Sequence, residues 1–313
     1  MSILSEPHFH SADAARARLE EIVWPQGPYC PRCGGFDRIT DVRGGRPGLR
    51  RCGPCKREFT VTVGTIFERS KVPLNKWFQA AHLLASSKKG FSAHQLHRTL
   101  GVTYKTAWFM FHRLREAMRT GDLDVFGSNG GAVEVDETFI GQDPDARPTP
   151  AHANKTWVEK NKVLTLVDRE SGAARSFVVD SLKASELAPI LRENIAKEAR
   201  LLTDEAPRYR GHGKMFADHQ SVNHKKDEYV RRGEPEVHTN TVEGYFSIFK
   251  RGMKGVYQHC SKRHLHRYLA EYDFRYNRRA ALGVTDNARA EMLVRGIVGK
   301  RLMYRDSSTG ERA

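Results

Sequence analysis

Four cysteines in two closely spaced pairs constrain the N-terminal part of this chain more than any other feature. Cys30 and Cys33 form one Cys-x-x-Cys pair, Cys52 and Cys55 form another, and 18 residues separate the pairs. Each pair presents two sulfurs to one ion, and the intervening loop is long enough to fold back. A disulfide framework and a redox dithiol are the alternatives. The spacing favours one Zn²⁺ bound by four thiolates. No further ligand lies nearby that would suggest an open catalytic position, so this zinc would be structural.

The charge of the chain indicates a polyanionic partner. Among 313 residues, 52 Lys and Arg stand against 37 Asp and Glu, which gives a formal net charge of +15. This excess favours nucleic acid, with an acidic membrane surface as the competing partner. We expect no membrane span and no signal peptide, because the sequence lacks a run of about 18 apolar residues and begins with polar residues. Metal-type cysteine spacing indicates a reducing, cytoplasmic compartment.

Residues 1–70 predict a short N-terminal helix followed by a zinc ribbon. Ser11 is suited to cap a helix within residues 1–23, and the ribbon occupies residues 24–70. The alternation over Phe59–Val63 predicts its last strand. Eight basic residues lie between Arg32 and Arg57 against two acids. A solvated surface would account for them, but the charge of the whole chain favours a DNA-phosphate surface.

Residues 71–122 predict a helix-turn-helix DNA-binding region. Ser92 can cap one helix, Gly101 can make the turn, and a second helix follows. Tyr104, Lys105 and Trp108 lie early on that second helix, where side chains that read the major groove are found. An ordinary helical hairpin is the alternative interpretation.

Residues 123–285 predict a mixed sheet with helices packed on it, and residues 286–313 predict a C-terminal helix and tail. The segment Ala132–Ile140 alternates as a buried strand, a hairpin spans Val163–Val179, and Ala184–Lys197 is an amphipathic helix. Arg200–Asp204 is a short strand. The order strand, strand, strand, helix, strand is typical of such a sheet. Residues 206–237 look irregular, and two helices follow them.

Three acids could form one site. Asp136 lies within the first strand of this sheet, Asp204 ends the fourth, and Glu243 begins the following helix. Carboxylates brought together raise one another's pKa, and two Mg²⁺ ions about 4 Å apart would remove that conflict and support phosphodiester attack. Each acid also has an ordinary explanation as a surface, turn or helix-capping residue, and Glu205 is a rival for Asp204.

The chain resembles bacterial insertion-sequence transposases with an ISXO2-like catalytic domain, the IS1595 family. The resemblance spans about Trp24 to Asn277 and rests on several motifs in the same order. These are the four ribbon cysteines, Val133-Glu-Val-Asp-Glu-Thr-Phe-Ile-Gly141, Leu202-Thr-Asp204, His238-Thr-Asn-Thr-Val-Glu-Gly244 and Phe274-Arg-Tyr-Asn277.

The resemblance implies an RNase-H-like fold in a multidomain α+β protein, with Asp136, Asp204 and Glu243 as an acidic triad. The triad would bind two catalytic Mg²⁺ ions, for which Mn²⁺ can substitute. Lys250 matches a basic residue associated with transposon-end DNA, and Arg251 beside it is a second expected contact. The family implies hydrolysis at element ends to free a 3′-hydroxyl, followed by strand transfer into target DNA. Expected partners are double-stranded terminal inverted repeats, target DNA, and a second copy in a homodimer or larger complex.

Two other functions fit the same motifs. One is a DNA-binding transcriptional regulator whose sheet domain is only an interaction module. The other is a nuclease that cuts DNA but never joins it.

Overall fold

The computed structural model describes residues 3–119, 121, 124–143 and 160–303. The chain divides into two compact units, Met1–Thr120 with Gly283–Ala313, and Gly121–Leu282. The helices are α1 (Ala12–Val23), α2 (Leu74–Ser86), α3 (Ala93–Leu100), α4 (Tyr104–Met118), α5 (Ala184–Asn194), α6 (Pro207–Arg210), α7 (Asn240–Gly252), α8 (Lys262–Tyr276) and α9 (Asp286–Arg295). The strands are β1 (Ile39–Asp41), β2 (Arg50–Cys52), β3 (Glu58–Phe59), β4 (Ala132–Ile140), β5 (Asn161–Asp168), β6 (Ala174–Val179), β7 (Arg200–Thr203), β8 (Asp218–Ser221), β9 (Val230–Arg231) and β10 (Glu234–His238).

Helices α1, α3 and α4 of the first unit begin where the sequence supplies side-chain caps. Ser11 accepts a hydrogen bond from the backbone N–H of Ala14, and Thr103 caps α4 in the same way. Ser92 and Gln95 form a reciprocal capping box at the start of α3. Gly101 ends α3 with a φ of 60°, a left-handed conformation that costs glycine little. Local sequence therefore determines where α3 begins and ends and where α4 begins.

The ribbon is a three-stranded antiparallel sheet in the order β1-β2-β3. The prediction of a strand over Phe59–Val63 is wrong, since β3 ends at Phe59. After it the chain turns, and the N–H of Val63 donates to the carbonyl of Thr60 at 3.0 Å. The hydroxyls of Thr60 and Thr62 are 2.9 Å apart. Such local hydrogen bonds compete with strand pairing, which explains the early end of β3.

The second unit contains a five-stranded sheet in the order β6-β5-β4-β7-β8. Strand β5 pairs antiparallel with both β4 and β6, whereas β7 pairs parallel with β4 and β8 pairs parallel with β7. This confirms the predicted fold class, a multidomain α+β chain with a zinc ribbon followed by a mixed-sheet domain. It also makes the first and fourth strands of the prediction direct neighbours.

Helices cover both faces of this sheet. One core packs α5 on one face through residues that include Val133, Val135, Leu187 and Leu191. The other packs α7 and α8 on the opposite face through residues that include Val163, Val167, Val242, Phe249 and Leu269. Alternation along β4 therefore turns Glu134 and Asp136 toward the α7 face and Glu137 toward the α5 face.

The expectation of an irregular segment over residues 206–237 is wrong. This segment contains α6, β8 and β9, and β10 begins within it. Strand β8 is composed entirely of polar residues and lies at the edge of the sheet beside β7. Hydrophobic alternation, which reveals half-buried strands, is therefore missing from it.

Residues 304–313, at the end of the predicted C-terminal tail, lie outside the described residues. Within the described part of the chain, no helix is long and apolar enough to cross a membrane.

Candidate functional site

The sheet register brings two of the predicted acids together. Strands β4 and β7 are parallel, and Glu134 pairs with Leu202. Asp136 and Asp204 each lie two residues further along, so their side chains emerge at the same level of neighbouring strands. Both residues are partly buried. This places two carboxylates side by side at the carboxyl end of β7.

The carboxylate of Glu137 joins these two, and Glu137 was not among the acids predicted from the sequence. Oxygens of Asp136, Glu137 and Asp204 all lie within 4.8 Å of one another. Asp136 Oδ1 accepts a hydrogen bond from the N–H of Glu137 at 2.7 Å. Asp204 Oδ1 accepts one from the N–H of Ala206 at 3.0 Å. The only sequence signal for Glu137 was its position beside Asp136.

Glu137 differs from the other two acids because it has strong partners of its own. Arg208 Nη2 lies 2.7 Å from Glu137 Oε1, and the hydroxyl of Tyr209 donates to Glu137 Oε2 at 2.5 Å. Both partners belong to α6, which begins three residues after Asp204. The short helix thus holds Glu137 in place beside the pair formed by Asp136 and Asp204.

Glu243 lies near this group but is not part of it. Its Oε1 accepts a hydrogen bond from Thr239 Oγ1 at 3.2 Å and lies 3.4 Å from His224 Nε2. Its charge nevertheless contributes to the raised pKa of Asp136. The rival acid Glu205 binds the N–H of His224 at 3.1 Å instead of joining the group.

The electrostatics of the group favour a bound cation. Burial is the main cause that raises the pKa of Asp136 well above its ordinary value, and the charges of Glu137, Asp204 and Glu243 raise it further. Burial also raises the pKa of Glu137, although Tyr209 and Arg208 oppose this. Clustered carboxylate oxygens are the ligands that hard divalent cations prefer. The donor set therefore fits such a cation, which would relieve the repulsion.

Magnesium should stabilise the second unit in a pH-dependent way. The folded-state pKa values of Asp136 and Glu137 lie above their unfolded values, so protonation of these groups stabilises the fold at acid pH. This stability is lost as the pH rises through the folded-state pKa values. Mg²⁺ at about 100 times its dissociation constant would add about 2.7 kcal/mol, or several degrees in unfolding temperature. We expect this increase in thermal scanning at about pH 8 and little effect at about pH 5, where protons compete. In Asp136→Asn, the metal-free protein should unfold at a higher temperature and the Mg²⁺ increase should disappear; an undiminished increase would contradict this assignment.

Lys250 lies close enough to the acids to interact with them electrostatically. Burial lowers its pKa, and the charges of Asp136 and Glu243 oppose that shift. Its Nζ lies 5.9 Å from the centre of the Phe246 ring. Arg251 is exposed, and its Nε donates to the carbonyl of Ser247 at 3.0 Å.

The four ribbon cysteines form the second potential metal site. All four sulfurs lie within 4.8 Å of one another, and the distances Cys30–Cys55 and Cys33–Cys52 are both 3.7 Å. A Zn–S distance of about 2.3 Å in a tetrahedron requires sulfurs about 3.8 Å apart. The cluster therefore fits one structural Zn²⁺ with four thiolate ligands.

The predicted base-reading residues on α4 lie in different environments. Tyr104 stacks on His94 of α3 with ring centres 4.3 Å apart, and Trp108 packs on His112 at 4.0 Å. Lys105 is exposed and lines an open cleft of about 290 Å³ together with Arg69 and Lys71. Tyr104 remains 45% exposed, so it also presents surface to solvent.

Two family models match this chain, one over the sheet domain and one over the zinc ribbon. Residues 129–277 match the family model described as the ISXO2-like transposase domain, and residues 10–58 match the transposase zinc-ribbon domain. A relative in Halobacterium salinarum is described as an uncharacterized protein in transposable element ISH50. It is 28% identical over 287 residues, which cover 85% of this chain and 91% of the relative.

Among solved structures, the chain is similar to one from a simian T-cell lymphotropic virus intasome in complex with the PP2A regulatory subunit B56 gamma. The two are 16% identical with a TM-score of 0.30, and the match covers 57% of this chain and 63% of that one.

Proposed function

This chain belongs to the IS1595 family of DDE transposases with an ISXO2-like domain, and on that premise we propose that it cuts and joins DNA at the ends of an insertion sequence. The observation that carries this proposal is the meeting of Asp136, within β4, and Asp204, directly after the end of the parallel strand β7. Hard cations bound there would relieve the repulsion between the two carboxylates and could promote phosphodiester attack.

The catalytic residues we propose are Asp136, Asp204 and Glu243, which together would hold two Mg²⁺ ions. Glu243 would leave His224 and Thr239 and turn toward the other two acids. Bound magnesium supplies activation of the attacking oxygen and stabilisation of the leaving oxygen in phosphodiester attack. Glu137 would remain with Arg208 and Tyr209, which tie α6, just after Asp204, to the strand that carries Asp136.

The reaction would proceed in two attacks at phosphorus. Water first breaks a phosphodiester bond at the element end and leaves a 3′-hydroxyl. That hydroxyl then attacks a phosphodiester of target DNA, forming a new bond as the target strand breaks. Lys250, beside the acids, would neutralise a phosphate of the bound end, and Arg251 would extend that contact along the backbone.

DNA binding would involve both units. Between Arg32 and Arg57 the ribbon exposes seven basic side chains, which suit phosphate contacts: Arg32, Arg38, Arg43, Arg46, Arg51, Lys56 and Arg57. The helix-turn-helix would add Tyr104, Lys105 and Trp108, of which Lys105 is the cation and is exposed. Terminal inverted repeats and target DNA are the proposed partners, held by a homodimer or larger assembly that brings two ends together in the bacterial cytoplasm.

A cleavage and joining assay on the element's own ends tests this function. With Mg²⁺, the full-length protein should nick labelled end DNA and transfer the cut strand into a second duplex. Both products should be absent with EDTA. End binding without nicking would favour the DNA-binding regulator, and nicking without joining would favour the nuclease.

A further inference from the structure

We propose that Glu134 is a positioning residue that ties the strand of Asp136 to the helix of Glu243. The inference rests on the proposed function, because it assigns Glu134 the task of setting the third acid relative to the first. Glu134 itself does not join the acidic group described above.

Glu134 is a fully buried carboxylate in the middle of β4, with a relative exposure of 0%. Its Oε1 accepts hydrogen bonds from Arg169 Nε and Thr241 Oγ1, each at 2.7 Å. Its Oε2 accepts one from the N–H of Val242 at 2.8 Å. A buried carboxylate is unfavourable without such partners, so its presence here requires an explanation.

The arginine that pairs with Glu134 also holds the segment that enters α7. Arg169 Nη2 donates to the carbonyl of His238 at 2.8 Å and lies 2.6 Å from its Nδ1. Arg169 Nη1 donates to the carbonyl of Glu236. One guanidinium thus links β4 to the last residues of β10, directly before the helix begins.

The positions of these contacts connect the two catalytic acids over a short path. Glu134 precedes Asp136 by two residues on the same face of β4. Thr241 and Val242, which bind Glu134, directly precede Glu243. The carboxylate also accepts from an N–H at the positive end of the α7 dipole, a favourable place for negative charge. A shift in the contact between Glu134 and the start of α7 would therefore move Glu243 relative to Asp136.

A general role in fold stability would explain the burial equally well, so the test must separate the two. The matched control is Glu271→Gln. Glu271 is also 0% exposed and paired, with Arg275 Nη1 at 2.8 Å, but it lies in α8. Both substitutions remove one buried charge of the same shape from the same unit.

Mn²⁺ binding to the full-length, zinc-loaded protein is measured by calorimetry. Only the binding that is lost in Asp136→Asn is counted. Loss of a residue that orients metal ligands typically weakens metal affinity about 10–100-fold. We expect a loss of this size in Glu134→Gln and an affinity within about twofold of wild type in Glu271→Gln. Thr241→Val should weaken binding in the same direction, whereas Thr241→Ser, which keeps the hydroxyl, should not.

A second readout requires no metal. Hydrogen exchange at the N–H of Val242 should be faster in Glu134→Gln than in wild type and unchanged in Glu271→Gln. If Glu134→Gln does not fold, Thr241→Val against Thr241→Ser decides the question by the same two measurements.

The inference is overturned if Glu134→Gln and Thr241→Val bind Mn²⁺ as tightly as wild type. It is also overturned if wild type shows no Mn²⁺ binding that depends on Asp136. Failure of the proposed function has a different signature: Mn²⁺ binding weakened by Glu134→Gln in a protein that neither cleaves nor joins end DNA.

Discussion

Replacing Asp136 with Asn should reduce strand cleavage by at least about a thousandfold. Stabilisation of transition-state charge by metal is worth several kcal/mol, and each 1.4 kcal/mol corresponds to about tenfold in rate. Asn removes the charge of the central acid with almost no change in shape. Single-turnover cleavage of labelled end DNA in Mg²⁺ measures the effect. End binding, followed in the same samples by gel shift, should persist.

Substitutions at the neighbouring acids define which carboxylates act. Asp204→Asn and Glu243→Gln should match Asp136→Asn. Glu137→Gln should lose less activity, because Arg208 and Tyr209 already occupy its oxygens. The control is Glu193→Gln, an exposed acid on α5, which removes one charge and should cleave normally. Normal cleavage by Asp136→Asn would remove the enzyme assignment, and normal cleavage by Glu243→Gln would remove Glu243 from the triad.

Replacing Cys30 with Ser should unfold the zinc ribbon and abolish end binding. Binding of structural zinc contributes about 10–16 kcal/mol in comparable small modules, which exceeds the stability that three very short strands can supply. Zinc content by mass spectrometry should fall from one ion per chain to none. Circular dichroism should show loss of ordered structure, and chelation of the wild-type protein should have the same effect.

Cys260→Ser provides the matched control for this experiment. Cys260 lies in the second unit, apart from the four clustered thiols. The same exchange of sulfur for oxygen there should leave zinc content and end binding unchanged. Full zinc content and end binding in Cys30→Ser would contradict the four-thiolate site.

Much of this protein was determined by local sequence. The caps at Ser11, Ser92 and Thr103 fix where three helices begin, because each depends on a side chain binding a backbone N–H within three residues. The cysteine spacing likewise predicted the sulfur cluster, since each pair needs only one turn of chain. Hydrophobic alternation predicted β4 and the hairpin of β5 and β6.

Other features were decided only by the tertiary structure. Strand β8 escaped prediction because an edge strand beside β7 needs backbone partners, not a hydrophobic pattern. The role of Glu137 depends on Arg208 and Tyr209, about 70 residues away along the chain. The burial of Glu134 depends on Arg169, from the turn after β5, and on Thr241 and Val242 of α7.

For the three candidate acids, too, the sequence determined one part and the tertiary structure the other. The sequence by itself marked Asp136, Asp204 and Glu243 as candidates and supplied their residue types. Only the parallel pairing of β4 with β7 decided that Asp136 and Asp204 meet. Only the packing around the start of α7 decided that Glu243 contacts His224 and Thr239 in this structure. The physical reason is that local patterns reflect backbone preferences over a few residues. A charged site, in contrast, depends on which distant side chains the packing brings within a few ångströms.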